Sequence, residues 1–263
     1  MKSSSLSSGQ DYEKVVTELP RWDDRTMQYK DAKAWNCAVC TLLLWVALGK
    51  VEIMGRVRAV CISGTSASCL LVNRCTLDVT QRADGARHDP LIGKMLLWNK
   101  QRPLDLYEDG TCCEVMCHQS NYVSVSLIWE GLLIREGDCL TIPMGDWHNC
   151  LKLGCDVHIR AFPPWLRNIL GEGGVGLSHP ALALPTWVVS PGAQIGTISP
   201  TVASACRMQI RMIVVAGTTN SNALFFAAVG TDPEYGTAVT LLGSTLAIKM
   251  LSWTFVEDAK WGL

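Results

Sequence analysis

The five histidines and twelve cysteines of this 263-residue chain are the residues best suited to hold a metal or attack a carbonyl. Their spacing limits what they can do. Cys37-x-x-Cys40 is a lone pair inside an apolar run. The cluster Cys112, Cys113, Cys117 and His118 has no second C-x-x-C at zinc-finger distance, so neither group supplies a tetrahedral ligand set. Cys61, Cys69, Cys75, Cys139, Cys155 and Cys206 also sit among apolar neighbours, where a free thiol behaves as a small buried hydrophobe. Gly171-Glu172-Gly173-Gly174-Val175-Gly176 spells G-x-G-x-x-G. It follows Pro163-Pro164-Trp165-Leu166 and precedes Ser178-His179-Pro180, whereas a dinucleotide site needs those glycines between a strand and a helix start. It reads as a glycine loop. No G-x-x-x-x-G-K-[ST] phosphate loop occurs. No catalytic residues and no cofactor follow from these patterns.

The sharpest local pattern is Gly137-Asp138-Cys139-Leu140-Thr141-Ile142-Pro143-Met144-Gly145-Asp146-Trp147-His148, which resembles the second cupin motif. In that family a strand delivers the final histidine to a metal inside a small β-barrel. Aligning Gly131 with the end of the first cupin motif puts His118 at the first histidine position. Ser120 then stands where the second histidine belongs, and Ser124 or Val125 where the glutamate belongs. The resemblance thus implies His118 and His148 as the only metal ligands, two short of a set. Gly137-Asp138-Cys139 also resembles the nucleophile turn of chymotrypsin-like cysteine proteases, but Leu140 replaces the second glycine. His88 and His118 lie too near Cys139 to belong to a separate N-terminal barrel.

The elements that must carry these residues read as follows. Residues 1–33 are first Ser-rich, then charged with scattered aromatics, and predict an N-terminal arm, either disordered or draped over a partner. The start carries no apolar core of a signal peptide, which favours a reducing compartment. Ala34–Leu48 is apolar at nearly every position, consistent with a buried helix or a buried strand. The longest apolar stretch, Cys37–Leu48, is shorter than the ~20 residues of a membrane span. Beyond Gly49 the texture alternates: Arg56–Ile62, Cys69–Thr80, Tyr122–Trp129 and Arg207–Val215 place polar and apolar residues on opposite faces. Ala223–Val229 and Thr237–Phe255 carry residues that pleated surfaces favour. One short helix is expected, at Trp165–Leu170 after Pro163-Pro164. Many short strands with Gly and Asp-Gly punctuation predict an all-β fold, an antiparallel two-sheet sandwich of jelly-roll type over residues 34–263 as a single domain.

Hydrophobic types make up 48% of the chain and charged types 18%, with net charge −1. A chain with no basic field does not grip phosphate backbones by charge alone. Few charges and ten tryptophans suit extended subunit contacts. Trp22, Trp165 and Trp261, in terminal or loop contexts, are the interface candidates.

A polar arm, an all-β body, Gly/Ser/Pro loops and no catalytic set together resemble a picorna-like coat protein of a small RNA virus. The most suggestive stretch is Leu184–Gly192 followed by Ala205–Ala216, similar to the late strands of such subunits. The resemblance implies a structural capsid subunit, not an enzyme, that self-assembles into an icosahedral shell around the genome. It places the protein in the virion and the host cytoplasm. Its partners would be copies of itself or related coat subunits, with no membrane. RNA contact would be weak and non-specific, because the first 20 residues set Lys2 and Lys14 against Asp11, Glu13 and Glu18. Two alternatives come from other classes. One is a cupin-like metal-binding barrel. The other is a viral matrix or movement protein binding membrane or single-stranded RNA, against which Arg56, Arg58, Arg207 and Arg211 alternate along strands rather than cluster.

Overall fold

The computed structural model describes residues 22–23, 28–29, 33–65, 68–73, 77, 79–84, 114–128, 145–156, 158–169, 184–185, 188–242, 246–254 and 256. Two short strands, β1 (Trp22–Asp23) and β2 (Gln28–Tyr29), pair antiparallel ahead of the main body. Lys33, the last residue of the expected arm, already lies in a helix, and the rest of the arm lies outside the described residues. Helix α1 (Lys33–Gly49) resolves the helix-or-strand ambiguity of Ala34–Leu48. Its apolar residues serve two cores, Trp35 in one and Ala47 in another. Helix α2 (Val51–Met54) and strand β3 (Ala59–Cys61) follow.

Strands β4 (Ser68–Asn73), β5 (Val79–Asp84) and β6 (Glu114–His118) form an antiparallel sheet with β4 in the middle. The alternation of β4 is apolar on both faces. Cys69 and Leu71 join Met116, Leu153 and Leu166 in one core, while Leu70 and Val72 join Trp35, Tyr122 and Val123 in another. A sheet covered on both sides is a layered α/β arrangement, not one half of a sandwich. Chain order supplies the covering helices: α3 (Gln119–Ile128) leaves β6 directly, and β7 (Gly145–Asp146) runs into α4 (Trp147–Cys150) and a 3-10 turn at Leu151–Leu153. Then come α5 (Pro164–Ile169), β8 (Val188–Val189), which pairs parallel with β7, and β9 (Gln194–Thr197). After α6 (Pro200–Ala205), strand β10 (Ile213–Val215) pairs parallel with β3 and antiparallel with β9. Helix α7 (Asn220–Val229) and the hairpin β11 (Ala238–Leu242) and β12 (Leu246–Met250) complete the described chain.

The expected jelly roll is therefore corrected: among the described residues, strands form small separate sheets interleaved with helices. The clearest reason lies in α3. Tyr122–Trp129 alternates Val and Ser as a half-buried strand would, but within α3 Ser120, Ser124, Val123 and Val125 are all buried, so Ser and Val do not divide into a wet and a dry face. A helix buried all round needs no 3.6-residue stripe. The Ser126 hydroxyl lies 2.6 Å from the Tyr122 carbonyl oxygen and 3.0 Å from Asn36 Oδ1, the back-bonding that lets serine sit inside a helix. Ala223–Val229, read as strand from its Val and Phe content, lies in the mostly exposed helix α7, of which only Phe225 is buried. The short helix after Pro163-Pro164 is present as α5.

Candidate functional site

Two residues of the β7–α4 corner, Asp146 and His148, face different surroundings. Asp146 is buried and caps α4, its Oδ1 accepting the backbone N–H of Asn149 at 3.0 Å. Its Oδ2 accepts from the side-chain amides of Asn149 at 2.8 Å and Asn121 at 3.2 Å. Asn149 Nδ2 also reaches Ser120 Oγ at 3.1 Å. Burial raises the Asp146 pKa, and the Asn149 and Asn121 donors and nearby His148 oppose the rise. Gly145 permits the tight corner, since a Cβ there would stand 2.6 Å from Cys150 Sγ.

His148 is only half-buried and opens onto a cleft of about 490 Å³. Its Nδ1 lies 2.6 Å from Thr218 Oγ1 and 3.2 Å from Asn222 Nδ2, and Lys249 Nζ donates to Asn222 Oδ1. These partners come from the segment after β10, from α7 and from β12. The floor holding Thr218 is set by main chain: Gly64 N–H donates to Thr218 O at 3.2 Å, and Asn220 N–H donates to Gly64 O at 2.9 Å. Gly217 is required here, because a Cβ would fall 1.7 Å from the Ile62 carbonyl oxygen. Thr219 caps α7 by accepting the Asn222 N–H at 3.2 Å. Trp147 and Phe226 give the cleft aromatic walls in a mostly apolar lining, to which His148, Thr218, Ser190 and Arg160 add polar groups. Arg160 stands 5.7 Å over the Trp147 ring and donates to Ser190 Oγ at 3.2 Å. The His148 pKa is lowered, first by burial and then by Lys249, with Asp146 acting the other way.

The two histidines singled out for a cupin-like metal occupy different surroundings. His118, at the end of β6, is fully buried with Nδ1 3.6 Å from Cys69 Sγ, and burial pushes its pKa down to about 4. Among the described residues no group of three or more His, Cys, Asp or Glu could hold a metal ion. Trp165 is exposed on α5, Trp22 pairs with Tyr29 in the β1–β2 ladder, and Trp261 lies outside the described residues. Cys112, Cys113, Cys139 and the Gly171–Gly176 loop lie outside them as well. Thr218, Asn222, Lys249 and Arg160 were not legible as site residues. The only local signal was the polar run Thr218-Thr219-Asn220-Ser221-Asn222 after an apolar strand, a helix-cap pattern.

No known family pattern matches the chain. Its fold, however, is found among solved structures. A xylulose kinase from Rhodospirillum rubrum superposes over 87% of this chain and 48% of its own, with TM-score 0.64 and 16% identity. A carbohydrate kinase from Novosphingobium aromaticivorans matches over 84% of this chain and 47% of its own, with TM-score 0.55 and 17% identity. A Plasmodium falciparum glycerol kinase solved with ADP matches over 83% and 45%, with TM-score 0.56 and 12% identity. The fold is that of sugar kinases. The chain spans about half the length of the solved structures it matches. This finding corrects the coat-protein resemblance, the capsid function and the virion location, none of which fits a kinase-like fold. It also removes the basis for a purely structural, non-enzymatic subunit, and neither the cupin-like nor the matrix or movement alternative is supported.

Proposed function

We propose that this chain is a phosphotransferase in which the cleft around His148 holds a small polyol or keto-sugar whose hydroxyl accepts a phosphoryl group. The observation that carries the reading is a cleft of sugar size, mostly apolar with a few polar groups in its lining, in a kinase-like fold. Thr218, Ser190 and His148 supply hydrogen-bonding groups for hydroxyls, while Trp147 and Phe226 supply apolar faces for the carbon skeleton. Arg160, at the exposed edge of the lining, is the cation suited to a phosphoryl oxygen. Phosphoryl transfer asks a protein mainly for positioning and charge stabilisation, and a corner fixed by Gly217 and the Gly64 main chain is rigid enough for the first.

The hairpin beside α7 fits a two-lobed arrangement. Leu242, Leu246, Ile248 and Met250 share one face of β11–β12 and are all exposed, an apolar surface suited to packing against a second folded unit. Phosphorus NMR tests the activity: the protein is incubated with magnesium ATP and, in turn, xylulose and glycerol. Growth of a phosphomonoester signal together with ADP, dependent on the added polyol, is expected. Absence of that signal, with no saturable heat of polyol binding, overturns the reading.

A further inference from the structure

The groups around His148 form a one-way chain of donors. Lys249 has an ammonium that only donates, so the atom it meets on Asn222 is the carbonyl oxygen Oδ1. That orientation turns the Asn222 amide nitrogen, which also only donates, toward His148 Nδ1 at 3.2 Å and Thr218 Oγ1 at 3.4 Å. Thr218 Oγ1 accepts a hydrogen bond from Asn222 Nδ2 and, 2.6 Å from Nδ1, is placed to donate its own O–H to that nitrogen. Two donors converge on Nδ1, and a ring nitrogen that accepts carries no proton. Among the described residues Nε2 has no partner, and the ring lines the cleft.

We infer that Lys249 and Asn222 hold His148 as the neutral Nε2–H tautomer, making its imidazole a hydrogen-bond donor to a ligand oxygen in the cleft. The inference rests on the phosphotransferase reading only for the identity of that oxygen, a sugar hydroxyl or carbonyl or a phosphoryl oxygen. His148 is then a binding residue, and Asn222 and Lys249 are positioning residues that act through it. The pKa of His148, lowered first by burial, agrees with a neutral ring. The assignment also separates His148 from a general base: its basic nitrogen is turned inward and occupied.

Long-range proton–nitrogen correlation spectra of the protein labelled with 15N-histidine read the tautomer directly, with His148→Phe identifying the signals. The expected pattern is a protonated Nε2 and an unprotonated Nδ1, lost to a tautomer mixture in Asn222→Leu and shifted that way in Lys249→Met. Asn222→Asp puts an acceptor against Nδ1 and is expected to move the proton there and raise the pKa of His148. A perturbation of Nε2 on titrating xylulose assigns a sugar oxygen, and one on titrating inorganic phosphate alone assigns a phosphoryl oxygen. His148→Phe is expected to weaken the effective titrant about tenfold, the worth of one hydrogen bond, and His148→Gln, which keeps a donor near the Nε2 position, to restore most of it. A protonated Nδ1 in the free protein, no response to either titrant, or wild-type affinity in His148→Phe overturns the inference. Failure of phosphoester formation with the tautomer and the xylulose response intact overturns the transferase reading alone.

Discussion

Asp146 and His148 are separated by one residue, yet the first is sealed among Asn121, Asn149 and Ser120 while the second shares its Nδ1 with Thr218 and Asn222 and keeps its other nitrogen for an open cleft. The buried knot spends the carboxylate oxygens on a helix cap and two amides, which fixes the corner and leaves no carboxylate oxygen over for a ligand. The open chain of donors is drawn from distant parts of the sequence and ends on an atom with no partner among the described residues. The knot is closed off from solvent, with Asn121 Oδ1 and Asn149 Oδ1 buried beside it and without a hydrogen-bond partner among the described residues, whereas the open chain turns a ring nitrogen toward a cleft that a ligand can enter.

Substitutions should separate the two roles by what they change. Asp146→Ala removes the cap and orphans buried amides of Asn149 and Asn121, so an unfolding free energy lower by about 4 kcal/mol is expected, read from the urea midpoint. A loss below about 1 kcal/mol would mean that the knot is not structural.

Acid should act on the buried side next. His118 has an ordinary value of 6.5 and a folded value of about 4, so the unfolded chain binds its proton first as pH falls. The neutral buried histidine therefore contributes stability that is present above pH 6.5 and is lost toward pH 4, about 3 kcal/mol in all. Asp146, whose pKa is raised, has the opposite sign: the folded chain holds that proton longer, and its contribution declines as pH rises from 3.8. Urea titrations of wild type and His118→Leu between pH 7 and 4 isolate the histidine, whose slope should vanish in the variant.

Gly217→Ala drives a methyl into the Ile62 carbonyl, backbone against backbone, and should cost about 2 kcal/mol while also spoiling the cleft floor. Smallest of all, Lys249→Met should move stability by no more than about 0.5 kcal/mol in thermal melts, since its partner Asn222 sits at the cleft rather than in the core. A large loss there would place the donor chain on the structural side of the comparison.

Part of this arrangement is legible in the chain itself. Pro163-Pro164 announces α5, and the apolar run of α1 announces a buried element without saying which kind. His148 stands out, but inside a pattern that suggests a metal it does not share with His118. The Ser and Val alternation of α3 points to a strand, but a period of two is informative only when it separates a wet face from a dry one, and here it does not. Thr218, Asn222 and Lys249 carry no local signal: they lie 70, 74 and 101 positions after His148 and meet it only through the pairing of the Gly64 segment with Thr219 and the packing of α7 on β11. Long-range assembly of that kind leaves no mark on short windows of sequence.

Hydrogen exchange with and without saturating xylulose tests most directly whether the open cleft, and not the buried knot, is the working region. Slower exchange is expected at the amides of Trp147–His148, Gly192–Ala193 and Gly217–Asn222, with Asn121–Val125 unchanged. Protection confined to other segments, or exchange identical in the two samples, would contradict the account.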